Sequence, residues 1–239
     1  MIGLGTIINV GAIVVGGLLG LLLKNALPQR ISDTLTKAIG ICVLFIGLSG
    51  ALQNMFTIED GALSVGGTMM TIFSFIGGSI LGGALDLEGR LERFGVWLRK
   101  RAGADGDSGF LNAFLTASLT VCIGAMAVVG AINDGLFGDI SLLVTKSILD
   151  AIIIMVMAAT MGKGCIFSAI PVALFQGLVT LFARFLQPVM TAQATSNLAL
   201  TGSILVFCVG VNLIWDQQRL KVANMLPTLI FAVALAFVL

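Results

Sequence analysis

The stretch I-S-L-L-V-T-K-S-I-L-D-A-I-I-I-M-V-M-A-A-T-M, residues 140–161, decides the fold. A membrane-spanning helix needs about 20 consecutive, predominantly apolar residues. This run meets that requirement while holding two opposite charges, Lys146 and Asp150. Their spacing puts both on one helix face, about one turn apart. A charge at mid-bilayer costs about 2.5–3.5 kcal/mol on insertion scales, so an ionisable residue in such a segment marks a functional site by default.

The rest of the chain has the same character. Of 239 residues, 58% are hydrophobic and 10% are charged, with a mean hydropathy of +1.09. Soluble domains carry about 25% charged residues, so this chain cannot cover a water-facing surface. Its apolar runs are continuous rather than alternating, which excludes a β-barrel. The fold class is all-α: a polytopic transmembrane helix bundle, one integral membrane domain over residues 1–239.

The same composition excludes several functions. A net charge of +1 points to no nucleic-acid partner. The absence of His removes the commonest general base and metal ligand. Cys42, Cys122, Cys165 and Cys208 stand far apart without C-x-x-C spacing and read as small buried apolar residues. No H-E-x-x-H, G-x-S-x-G or phosphate-binding glycine loop occurs. We expect neither an enzyme, nor a metal site, nor a cofactor.

Eight apolar runs are candidate spans: 2–23, 31–52, 62–85, 110–132, 140–161, 165–186, 196–215 and 222–239. The first lacks a basic leader and is long enough to span, so it reads as a helix rather than a cleaved signal. With the N-terminus outside, one side collects Lys24, Arg30, Arg90, Arg93, Arg99, Lys100, Arg101, Lys163, Arg219 and Lys221. The other holds Arg184, with Glu59, Asp60, Asp134 and Asp139 in its loops. By the positive-inside rule the basic side is cytoplasmic and both termini are outside. Residues 86–108 form a cytoplasmic amphipathic helix and linker: Leu87, Leu91, Phe94, Trp97 and Leu98 recur at helical spacing among charged residues. That helix either lies on the leaflet, with Arg99, Lys100 and Arg101 at anionic headgroups, or is a solvated helix that anchors topology.

The chain also resembles itself. G-L-L-G-L-L-L-K-N-A-L-P (17–28) aligns with G-L-V-T-L-F-A-R-F-L-Q-P (177–188), and I-G-I-C-V-L-F (39–45) with T-G-S-I-L-V-F (201–207). These matches pair spans one and two with six and seven, so they imply opposite orientations. Inverted repeats are a recurring plan of secondary transporters, with the site at mid-membrane. Gly16 with Gly20, and Gly78 with Gly82, are G-x-x-x-G pairs suited to close helix contact.

At 1.5 Å per residue, Asp150 lies about 15 Å into its span, and Gln176 about 16 Å into the next. Asn9 in the first span, Thr116, Ser118 and Thr120 in the fourth, and Ser168 in the sixth add uncharged polar groups. Asn224 and Pro227 open the eighth, where the proline frees a carbonyl that would line a cavity. Lys37, four residues after Asp33, reads as a structural charge near a helix end.

Two functions fit. In the first, the chain is a transporter or channel-like protein for a small solute, proton or cation. Asp150 is then the ion site, Lys146 its counter-charge, and Gln176 and Asn9 line the site. In the second, it is a non-transporting membrane scaffold or regulatory protein in which Lys146 and Asp150 form a structural ion pair. The lipid bilayer is its partner in both, and a homo-oligomer is compatible with either.

K-S-I-L-D (146–150), G-K-G-C-I-F-S-A-I-P-V-A-L-F-Q-G (162–177), N-M-L-P (224–227) and the opening G-T-I-I-N-V-G-A-I-V-V-G-G (5–17) resemble the bacterial YdfK/YqgA-type membrane proteins, the family known as domain of unknown function 554. The resemblance covers essentially the whole chain. It implies a multi-pass protein of the bacterial cytoplasmic (inner) membrane and carries no site residues with it.

Overall fold

The computed structural model describes residues 2–24, 28–59, 62–104, 106–215 and 220–238. Asp60 and Arg219, two members of the charge asymmetry, lie outside them, as does the Glu59 side chain. The chain begins with helices α1 (Leu4–Lys24) and α2 (Gln29–Met55), a hairpin of strands β1 (Phe56–Glu59) and β2 (Ala62–Val65), and α3 (Thr68–Ala84). Then come α4 (Leu87–Arg101), α5 (Phe110–Cys122), α6 (Ala125–Phe137) and α7 (Ser141–Met161). A 3-10 segment (Lys163–Ser168) leads into α8 (Ala169–Leu181) and α9 (Ala183–Leu186). The chain closes with α10 (Ala192–Ile214), α11 (Val222–Met225) and α12 (Thr228–Leu235). Among the described residues, five helices are long and apolar enough to cross a membrane, or up to seven spans if each of two bent helix pairs is one. The expected eighth, 222–239, is a shorter apolar stretch interrupted at Pro227.

The burial pattern is that of a protein solvated by lipid. On α1 the inward face is Thr6, Asn9, Ile13, Gly16 and Gly20, whereas Ile7, Val15, Leu18 and Leu22 point outward, Leu22 being 70% exposed. Small and polar groups inside with large aliphatics outside suits association in a bilayer, where close packing rather than apolar burial joins helices. The glycines show this directly. A Cβ on Gly16 would strike the carbonyl oxygen of Ala151, and one on Gly20 that of Met155. These contacts rise together along both helices, so α1 and α7 run parallel. Gly40 meets Leu213, Gly47 meets Phe207 and Gly50 meets Ser203, so α2 and α10 are antiparallel. Gly78 meets Thr228 and Gly82 meets Asn224, which makes α3 antiparallel to α11 and α12. Gly164 packs on Phe110 and Gly135 on Thr180, so the α5–α6 pair runs parallel to the 3-10 segment and α8. Ile13, Ala113, Ala117, Ile154, Met157 and Val172 form the apolar core where α1, α5, α7 and α8 meet.

Several expectations are corrected. Residues 62–65 are not the start of the third span but the second strand of a hairpin, pairing Phe56 with Val65 and Glu59 with Ala62. The fourth run is not one helix: it breaks between Cys122 and Ala125, bends by 62°, and continues to Phe137. Asp134 consequently belongs to α6 rather than to a loop. It is fully buried, and its carboxylate accepts from the N–H groups of Gly3 (3.1 Å) and Gly5 (2.9 Å). Those are among the orphan donors of the α1 N-terminus, where negative charge is favoured. Asp139 stands just before α7: the hydroxyl (2.7 Å) and N–H (3.0 Å) of Ser141 donate to it and hold its carboxyl below the usual range. Cys42 is exposed rather than buried.

Within 86–108 the chain forms α4, which is bent 53° from α3. Its apolar face is covered by protein: Leu91, Phe94 and Leu98 pack on Phe110, Phe114 and Leu115 of α5. Arg90, Arg93, Trp97, Lys100 and Arg101 remain exposed. Asn224 is engaged by α4. Its Oδ1 accepts from the Glu88 N–H (2.8 Å), while the Glu88 carboxylate accepts from the Ala223 N–H (2.9 Å). This reciprocal clasp ties α4 to α11.

Candidate functional site

Lys146 and Asp150 lie on the inward face of α7, 6% and 4% exposed, in the row Leu143, Lys146, Ser147, Asp150, Ile154. The Lys146 Nζ donates to Asp150 Oδ2 at 2.5 Å. It also donates to the carbonyl oxygen of Val121 at 2.8 Å. That carbonyl belongs to the last turn of α5, whose oxygens lose their helical partners at the break. The C-terminal end of a helix carries partial negative charge, so the break directs a field onto the ammonium.

Gly124 makes the break. Its φ of 143° and ψ of 150° lie in a region essentially reserved for glycine. A Cβ there would meet open space, so the requirement is conformational and not steric.

Asn9 and Gln176 complete the cluster. Asn9, fully buried on α1, donates from Nδ2 to Gln176 Oε1 of α8 at 3.3 Å, and Gln176 is 1% exposed. The Asn9 side chain also lies within hydrogen-bonding influence of the Asp150 carboxylate. Asn9 Oδ1 and Gln176 Nε2 have no hydrogen-bond partner in the structure. Buried polar atoms are paired in the great majority of cases, so two together distinguish this place. The four residues expected from depth thus meet, from α1, α7 and α8, around the broken end of α5.

On its other side the pair borders a cavity of about 500 Å³. Val43, Gly47, Ser49 and Asn54 of α2, Thr120, Gly124 and Met126 at the break, and Ala199, Gly202 and Ser203 of α10 line it with Lys146 and Asp150. It occupies the half of the bundle that carries the hairpin. Thr116 and Ser168 spend their hydroxyls or carbonyls locally: Thr120 donates to the Thr116 carbonyl (2.7 Å) and Ser168 to that of Cys165 (2.7 Å). Sequence reasoning missed the Val121 carbonyl, which has no side-chain signature, and the polar residues of α2 and α10. Ser49, Asn54 and Ser203 were legible as polar positions in apolar runs.

The described residues contain no group of three or more His, Cys, Asp or Glu able to hold a metal ion. What fold and cluster define is a polytopic α-helical membrane protein with a buried ion pair at a helix break. The chain belongs to the family described as "Protein of unknown function (DUF554)", which matches residues 4–237. It is similar to the "Uncharacterized membrane protein YdfK" of Bacillus subtilis (strain 168), with 27% identity over 235 residues, covering 98% of this chain and 96% of that protein. It is also similar to the "Uncharacterized protein YqgA" of Escherichia coli (strain K12), with 25% identity over 240 residues and coverages of 98% and 96%. No solved structure matches.

Proposed function

We propose that this protein is a non-enzymatic transporter of a small solute or ion, working at Asp150 with Lys146 as its counter-charge and Asn9 and Gln176 as lining groups. One observation carries the reading: a buried Lys–Asp pair joined to the free carbonyl of a broken helix, beside a cavity of about 500 Å³. Broken helices whose exposed ends face an ion are the usual construction of transporter sites, and irregular backbone at membrane depth is tolerated where it lines a cavity.

The helix pairings support an inverted repeat in which α1 corresponds to the 3-10 segment with α8, α2 to α10, and α3 to α11 with α12. Under a two-fold axis in the membrane plane, α2 against α10 and α3 against α12 are each self-paired and must be antiparallel, as they are. The parallel contact of α1 with α7 then corresponds to that of α8 with α5–α6. The latter three, α5, α6 and α7, are the link between the halves. In the bacterial inner membrane the basic side, with Lys24, Arg90, Arg101 and Lys163, faces the cytoplasm and the hairpin faces out.

The competing reading, a non-transporting scaffold with a structural ion pair, draws on the near-complete burial of both charges. Solute or proton flux in proteoliposomes decides between them. Wild type should conduct flux and Asp150→Asn should lose it; equal flux from both would remove Asp150 from the mechanism.

A further inference from the structure

We propose that Lys146 is a tethered cation occupying a binding site for a monovalent alkali cation. The inference rests on the transport reading above and names the ion. The Lys146 ammonium sits between the Asp150 carboxylate and the Val121 carbonyl oxygen, at 2.5 and 2.8 Å. Both are hard oxygen donors, and the second is presented by the negative end of α5. Asn9, whose amide N–H side reaches the same carboxylate, holds an amide oxygen that is completely buried and receives no hydrogen bond. Carboxylate, backbone carbonyl and side-chain amide oxygens are the donor set of hard cations. The ammonium already uses two of them as a bound cation would.

Charge selects the valence. One carboxylate balances one positive charge, and the other oxygens are neutral. A divalent ion would remain half uncompensated in a buried site, which is costly. Lys146 itself points to the exchange route, because it lines the cavity of about 500 Å³ as well as the cluster. An arriving cation takes the place between Asp150 and Val121 while the lysine stem swings its ammonium into the cavity. No covalent bond changes, and the lysine returns when the ion leaves. The site is therefore never without a positive charge, which avoids stranding Asp150.

Competition is the test. Purified full-length protein in detergent is titrated with NaCl against choline chloride by calorimetry, for wild type, Lys146→Gln, Asp150→Asn and Asn9→Ala. Lys146→Gln removes the competitor and should bind sodium at least about tenfold more tightly than wild type. Asp150→Asn should show no sodium-specific heat. Asn9→Ala should weaken binding by about tenfold to a hundredfold, the usual loss when a supporting group of a metal site is removed. Size-exclusion profiles identify any variant that does not fold, and the remaining two then carry the comparison. Binding that weakens in Lys146→Gln, or the absence of sodium-specific heat in both wild type and Lys146→Gln, would overturn the proposal. Flux that depends on Asp150 but is indifferent to sodium overturns the ion's identity and leaves the transport reading standing.

Discussion

At the residue scale the decisive question is what each buried charge would do without its partner. Breaking a buried pair by removing one member costs about 3–5 kcal/mol, because the other charge is left uncompensated, whereas replacing both by apolar residues is often close to neutral. Lys146→Met alone should therefore lower thermal stability far more than Lys146→Met combined with Asp150→Leu, measured by denaturation in detergent. If the double variant is as unstable as the single one, the pair is not coupled. Gly124 makes a second case. With open space where its Cβ would stand, Gly124→Ala suffers only from backbone conformation, about 1–3 kcal/mol. It should shift the melting temperature down and disturb the Val121 carbonyl without touching any charged group. Depth counting from the sequence brought Lys146, Asp150 and Gln176 to similar depth, because helical rise is constant, and Asn9 was added as a polar group of the first span. It could not find Val121, whose contribution is a backbone oxygen freed by its neighbour's conformation.

At the scale of elements, the α1–α7 contact depends on two hydrogens in place of side chains. Leucine at Gly16 or Gly20 would drive into the carbonyls of Ala151 and Met155. Either variant should abolish the folded peak in size-exclusion chromatography, whereas leucine at Gly11, whose Cβ direction is empty, should not. The clasp ties α11 to α4, and its Glu88 end, on the surface helix outside the spans, has a pH signature. Burial pushes the Glu88 carboxyl above its ordinary value, against the opposing Ala223 N–H. A carboxyl raised on folding holds its proton more tightly in the native state, so stability falls as pH rises from the unfolded value through the folded one. Glu88→Gln keeps an acceptor for Ala223 and carries no charge. It should remove that fall from a melting-temperature profile measured upward from the ordinary glutamate value of about 4.3; an unchanged profile would assign the dependence elsewhere. The long apolar helices were legible because the bilayer imposes their composition. The break in α5–α6 was not, since one glycine among 30 gives no signal of its own. The strand at 62–65 was not legible, because the apolar run it opens reads as part of the third span.

For the whole molecule, the pairings fix which loops share a side whatever the direction of insertion. The hairpin, the α6–α7 junction and the start of α10 fall together; α4, Asp107 and Lys163 fall opposite. In a variant lacking the four native cysteines, single cysteines at Leu63 and Gly138 should react with an impermeant maleimide from one face, and those at Asp107 and Lys163 from the other. Labelling of all four from one face would refute the arrangement. The expectation of sidedness comes from lysines and arginines alone, and this labelling is its test. The pairing of α1 with α7 was not readable, because apolar helix faces in lipid differ by shape and hardly by chemistry.

The clasp of Glu88 with Ala223 and Asn224 has an optical consequence. One of the two tryptophans, Trp97, rides on α4, half exposed, with the Arg101 guanidinium 5.6 Å above its ring. A tilt of the α11–α12 segment would pull on that helix through the clasp and change the surroundings of the indole. The protein thus carries a built-in fluorophore on the surface helix, and Trp215→Phe would leave it as the sole emitter for following motion of the eighth segment by wavelength alone.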